Sequence, residues 1–260
     1  MKIPLPPLPA QRRIVTRIEE LAAKIEQARG LRHQIVEETE RLYTSALASA
    51  MEPHSASWKQ ATVADVIVNM DAGWSPRGGA HPAAPGEWSV LKTTPVQWGS
   101  FYPIQNKALP VSLAPKPQLS VEAGDVLVTR AGPRKRVGVV AAVREAQPHL
   151  MISDKLIRLR PDQSRITPWF LELSLSSPFS QEHFVNRKTG LADAQVNISQ
   201  AILRSAPIAY PSLAEQQRIV AYLDDLKTKV NSLSQMQSET ASELDSLLPS
   251  VLDKAFKGEL

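Results

Sequence analysis

The chain of 260 residues contains no cysteine, which excludes disulfides and thiolate metal sites outright. Histidine is scarce, and His33, His54, His81, His149 and His183 include no pair at the i, i+4 spacing of a helical metal site. Ordinary surface histidines are therefore expected. No stretch approaches the ~20 apolar residues that cross a bilayer. Met1-Lys2-Ile3-Pro4-Leu5-Pro6-Pro7 lacks an apolar core of signal-peptide length. A soluble, cytoplasmic protein without membrane contact is the expectation. What is present, 43% apolar and 22% charged residues, is the balance of a folded domain rather than a disordered one.

The positive charge is unevenly spread. Residues 1–51 hold 8 Lys/Arg against 6 Asp/Glu, residues 52–206 hold 17 against 12, and residues 207–260 hold 5 against 8. The excess lies in the middle, where a polyanion would be met.

An internal repeat with an offset of 205 residues organises the flanks. The segment from Ile3 to Val15 aligns without a gap on Ile208 to Val220, sharing Pro-x-Leu-x-x-Gln-x-Arg-Ile-Val, and matches continue at Leu21/Leu226, Lys24/Lys229, Glu38/Glu243, Leu42/Leu247, Leu47/Leu252 and Ala50/Ala255. Each copy carries an apolar heptad seam over about five heptads, the pattern of a coiled coil. The expected helix-pair interface is Ile14, Ile18, Leu21, Ile25, Ile35 and Leu42 with Ile219, Leu223, Leu226, Val230, Leu233, Leu244 and Leu247. An amphipathic helix packed on a globular core is the competing reading. Each rod would be roughly 50–60 Å long at 1.5 Å per residue. Polar residues interrupt both seams, Arg32 and Thr39 in one and Gln237 and Thr240 in the other; such residues fix register, and an antiparallel pair would set them face to face. Ser212-Leu213-Ala214-Glu215 predicts a capping box. The first copy has Pro7 at the matching place, which moves Pro9 into its first turn. Pro249 predicts a break or kink in the second helix.

Residues 52–206 have a different texture, with most of the prolines and all five tryptophans. The tryptophans read as packing residues rather than base-stacking platforms. Val63–Val68 reads as a short strand or helix leading into a turn at Asp71-Ala72-Gly73, Ser75–Gly79 as a loop, and Ser89–Lys92 as a strand. Gly124–Val140 reads as a hairpin, two β-branched runs around a Gly-Pro turn, with Arg130, Arg134, Lys135 and Arg136 at its tip. Nine Lys/Arg face only three Asp/Glu between 130 and 165. A solvated charge run and a phosphate- or base-contacting tip are both open readings. A second basic loop, Asn186–Gly190 with Arg187 and Lys188, precedes Gln195–Ser199 with Asn197. Arg77 and Lys92 complete the candidate DNA-contacting set, since Arg suits guanine and Asn or Gln suits adenine.

At these residues the chain resembles the DNA specificity subunits of type I restriction-modification systems. The resemblance lies in Pro211 to Val220, in the ending Leu247 to Leu260, in Gly124-Asp125-Val126-Leu127 with its hairpin, and in Thr189-Gly190 ahead of Asn197-Ile198-Ser199. It implies an α+β fold with one mixed α/β target-recognition domain (52–206) flanked by two long helices (1–51 and 207–260) that pair antiparallel. It also implies double-stranded DNA as ligand, methyltransferase subunits docked on the helices, and indirect association with a restriction/translocase subunit. S-adenosylmethionine, ATP and Mg are then expected only on those partners, with no cofactor on this chain. Because the sequence opens inside the first conserved linker, an upstream recognition domain is expected to be missing, which makes a half-subunit or homodimer a possibility. The rival classes are an enzyme and a coiled-coil adaptor. Against an enzyme, the chain has no Gly-rich cofactor loop, no Asn-Pro-Pro-aromatic motif and no P-loop, and Asp154-Lys155 alone is too weak for a nuclease centre. Against an adaptor stands the basic middle segment.

Overall fold

A computed structural model describes residues 6–52, 58–77, 81–257 and 259, with the side chains of 191 and 192 excepted. Ile3, Pro4 and Leu5 of the first repeat, Gly78 and Gly79 of the expected loop, and Gly258 and Leu260 of the ending therefore lie outside the described residues. The elements, in order, are α1 (Leu8–Met51), β1 (Lys59–Thr62), β2 (Ile67–Ala72), β3 (Ser89–Leu91), β4 (Val96–Gln97), β5 (Ser100–Phe101), β6 (Asn106–Ala108) and β7 (Ser120–Val121). There follow β8 (Val126–Thr129), β9 (Ala131–Gly132), β10 (Val140–Ala142), β11 (Gln147–Met151), β12 (Leu156–Pro161), α2 (Pro168–Ser176) and α3 (Pro178–Val185). The chain closes with β13 (Thr189–Ala192), β14 (Gln195–Asn197), α4 (Gln200–Arg204), β15 (Pro207–Tyr210) and α5 (Leu213–Lys257). Two units result, Met1–Ala46 with Leu223–Leu260, and Leu47–Tyr222.

The helical unit joins α1 and α5. Arg29 Nη2 donates to Asp245 Oδ1 at 2.7 Å, and Arg32 Nε donates to Gln237 Oε1 at 3.0 Å. Moving forward along α1 thus moves backward along α5, which makes the pair antiparallel. The inward stripe departs from a strict heptad. On α1 it runs through Ile14, Ile18, Leu21, Ile25, Ala28 and Arg32, then continues through Val36, Thr39 and Tyr43. Ile35 and Leu42, expected in the seam, are 41% and 57% exposed. On α5 Ile219, Leu223, Leu226 and Val230 face inward, and after Gln237 the stripe passes through Ala241, Leu244 and Leu248, leaving Leu233, Thr240 and Leu247 exposed. An α-helix of 3.6 residues per turn drifts about 20° per heptad against a 3.5-residue repeat, and a four-residue step restores the contact. The step falls at equivalent places in both copies, before Val36 and before Ala241.

The repeated proline–glutamine motif is a tether at the start of each helix. Gln11 Nε2 donates to the Pro6 carbonyl at 2.8 Å, and Gln216 Nε2 donates to the Pro211 carbonyl at 3.0 Å. Each helix is thereby tied at its start, through a side-chain amide in its first turn, to the proline five residues earlier. Pro9 does sit in the first turn of α1, whose Ala10 and Gln11 amides bond the Pro7 carbonyl. The expected capping box at Ser212 forms only in half. Ser212 Oγ accepts from the Glu215 amide at 3.4 Å, but the Glu215 carboxylate takes Arg218 Nη2 instead. Pro249 does not end α5, which continues to Lys257. A proline removes a single backbone donor, and the half-buried Leu244, Leu248 and Val251 hold the helix on both sides of it.

In the second unit β10-β8-β12-β2 form an antiparallel sheet and β6-β3-β11-β7 a mixed one, with β3 and β11 parallel. Leu127, Ala141 and Leu156 from the first sheet meet Leu91, Val121 and Leu150 from the second in one apolar core. Helix α2 packs on β8, β10 and β12. With partners on both faces, β8 reads as an uninterrupted apolar run, Val126-Leu127-Val128. The expected turn at Asp71-Ala72 is instead the end of β2, because Asp71 pairs across the strands with Arg158. That guanidinium is 1% exposed; it donates from Nε and Nη2 to the Asp71 carboxylate at 3.0 and 2.8 Å and to the Gln118 and Ser120 carbonyls. Asp125 lies 3.5 Å away, its pKa raised chiefly by burial, against the pull of the Glu122 amide and of Arg158 and Arg160. Gly73 lets the chain leaving β2 pass against the residue that follows β11, since a Cβ there would collide with the Ile152 carbonyl.

Candidate nucleic-acid interface

The expected hairpin exists, but its connection is wider than a Gly-Pro turn. Val128 pairs with Val140, and residues 130–139 bridge them. Inside that bridge Ala131-Gly132 leaves the hairpin as β9 and pairs with β14, setting Asn197 opposite Ala131 and Val196 opposite Gly132. β13 pairs with the other edge of β14. The two basic segments, more than fifty residues apart in sequence, therefore share one small sheet. Backbone bonds from Ile198 to Arg130 O (2.9 Å) and from Arg130 to Lys155 O (2.8 Å) fasten it to β12. Gly190 permits the β13–β14 pairing: its φ is +136°, and a Cβ there would lie 2.5 Å from the Gln195 carbonyl.

The structure gathers Arg130, Arg134, Lys135, Lys188 and Asn197 around this sheet. Arg134 Nε lies 2.6 Å from Asp193 Oδ1, and Lys188 Nζ donates to the Arg134 carbonyl at 3.0 Å. Burial, followed by the charge of Arg134, holds the Lys188 pKa below its ordinary value. Lys135 is exposed, and Arg130 is half-buried with its Nε buried and unbonded. Asn197 Oδ1 accepts from Thr189 Oγ1 at 3.0 Å. Arg187 is exposed, reaching back to the His183 carbonyl at 3.3 Å.

Arg136 turns inward. It bonds Gln97 Oε1 and the Thr93 and Val96 carbonyls, and burial lowers its pKa. This arginine pins the β3–β4 connection to the basic bridge. Arg77 and Lys92 are exposed outside the small sheet, Arg77 after Pro76 and Lys92 at the end of β3.

Two residues here lie outside the expected DNA-contacting set. Lys155 is 43% exposed and joins the group only because β12 lies beside β8. Asp193 joins through the β13–β14 turn. Four of the tryptophans do pack as expected: Trp58 against Phe170, Trp88 against His149, Trp74 under Lys116 and Trp169 under Arg144. Trp98, between β4 and β5, is largely exposed. Among the described residues no group of three or more His, Cys, Asp or Glu could hold a metal, and no helix is long and apolar enough to cross a membrane. The chemistry on offer is cationic and hydrogen-bonding.

A mixed α/β unit with a clustered basic face, joined in sequence to an antiparallel helix pair, defines a class, and comparison with known proteins gives the family. The family model "Type I restriction modification DNA specificity domain" matches residues 100–241, more than half of the chain. The EcoEI specificity subunit of Escherichia coli is 41% identical over 196 residues, 72% of this chain and 33% of that protein. A chain from a structure on complex assembly and conformational transition of the type I R-M system is 29% identical, with a TM-score of 0.76 over 99% of this chain and 62% of its own. The HsdS subunit from Thermoanaerobacter tengcongensis is also 29% identical, with a TM-score of 0.60 over 99% and 60%. The chain belongs to the type I restriction-modification DNA specificity family. It spans less than two thirds of the length of each of these three relatives.

Proposed function

We propose that this chain is a non-catalytic DNA-reading subunit, or half-subunit, of a type I restriction-modification enzyme, with residues 52–206 as its target-recognition domain. The observation that carries this is the three-stranded sheet that brings the basic 130–136 and 186–197 segments together. Exposed or half-buried Arg130, Arg134, Lys135, Lys155, Arg187 and Lys188 suit phosphates, and Asn197 suits a base edge. Arg77 and Lys92 extend the same surface chemistry. The helix pair docks methyltransferase subunits, through which a restriction/translocase subunit associates. Any S-adenosylmethionine, ATP or Mg is bound by those partners. Two copies of the chain would read a two-fold symmetric bipartite site.

The test is binding of the purified chain to random-sequence duplex across a salt series. Log affinity should fall steeply with log salt, by about 0.9 per phosphate neutralised. A coiled-coil adaptor would show no such slope. Size measurement of the complex formed with a methyltransferase subunit, with and without duplex, tests the docking half of the proposal.

A further inference from the structure

The turn between β13 and β14 sets a carboxylate against the basic bridge. Asp193 Oδ1 lies 2.6 Å from Arg134 Nε, and the Arg134 amide donates to the Asp193 carbonyl at 2.8 Å. The two side chains are 85% and 45% exposed, and an ion pair so exposed contributes little to stability. Lys188 arrives from the end of α3 to bond the Arg134 carbonyl, and Lys135 stands beside them. Together they border a cleft of about 660 Å³ whose other walls are Pro133, Val185 and Ala194. Three cations and one carboxylate thus line the same cleft. Burial first, and then the charge of Arg134, lowers the Lys188 pKa.

We propose that this cleft seats a backbone phosphate of DNA, and that in the free protein Asp193 occupies the place of that phosphate on Arg134. The inference rests on the DNA-reading proposed above. A carboxylate and a phosphate offer the guanidinium similar paired oxygens. Exchanging one for the other gains little by itself, so the phosphate displaces Asp193 only where further contacts hold the duplex in place. Asp193 is then a specificity-determining residue, which weakens sequence-independent binding by competing for Arg134.

The experiment compares the full chain with Asp193→Asn, Arg134→Ala and Asp193→Asn/Arg134→Ala on a labelled random-sequence duplex at several salt concentrations. Asp193→Ser repeats the comparison if the amide disturbs the turn, and thermal melting confirms that each variant folds. Asp193→Asn should raise affinity several-fold and steepen the salt slope by about one phosphate's worth, 0.9. That gain should vanish in the Arg134→Ala background. Unchanged affinity in Asp193→Asn, or an equal gain without Arg134, would overturn the proposal, the latter by revealing a diffuse charge effect. Failure of the unaltered chain to bind any duplex at low salt would instead overturn the DNA-reading itself.

Discussion

Arg32 and Gln237 are hydrogen-bonded at 3.0 Å and stand 205 residues apart, the offset of the internal repeat. Each is therefore the other's counterpart, and the pair marks the pseudo-two-fold centre of the antiparallel helices. Polar contacts of this kind fix register at some cost in stability. Replacing both with leucine should raise the melting temperature by a few degrees, on the order of 1 kcal/mol. Arg32→Leu alone should lower it, since the Gln237 amide loses its partner. Register loosening can be read by cysteine cross-linking, which meets no background in a chain without cysteine. An unchanged register in the double variant would show that the pair does not set it.

The Arg158 network predicts a large loss. Truncating a fully buried guanidinium leaves the Gln118 and Ser120 carbonyls without this donor and the Asp71 carboxylate without its counterion. Arg158→Ala should cost about 3–5 kcal/mol in denaturant unfolding. Arg158→Lys should rescue only part of it, because an ammonium lacks the planar fork that spans four acceptors.

Arg134, Lys135 and Arg136 are adjacent in sequence but should separate in experiment. Lys135→Ala should weaken duplex binding and leave melting unchanged. Arg136→Ala should lower the melting temperature, because three bonds to the 93–97 segment are lost, at about 1–3 kcal/mol for the buried acceptors. Parallel calorimetry and binding titrations on the two variants check this division.

Acid should weaken the fold partly through Asp65 and Asp162. Hydrogen bonds from the backbone and side chain of Thr62, and from those of Ser164, hold their pKa values below the ordinary 3.8. The charged form is favoured more in the folded than in the unfolded chain. Their contribution is therefore complete above about pH 4 and is lost as pH falls through the depressed folded values. Asp65→Asn should flatten the stability curve in that window, measured by unfolding between pH 2 and 5.

The two helices and their pairing were legible because both copies keep apolar residues where the partner helix lies. Their phase was not: a strict 3.5-residue count puts Ile35 and Leu42 inside, whereas a straighter helix turns Val36 and Tyr43 inward. The hairpin at 124–140 was legible from its β-branched runs. The pairing of Ala131 with Asn197 was not, since a two-residue strand carries no periodicity and its partner lies 66 residues away. For the same reason the local charge count around Arg134 could not reveal Asp193 as its counterion, nor Arg136 as a clamp.

Selection from a random duplex pool by the purified full chain, followed by sequencing, tests the central claim most directly. One short half-site motif should be enriched, and Lys135→Ala should reduce recovery without changing the motif, as expected of a phosphate contact. A folded chain that enriches no sequence over the starting pool would contradict the account.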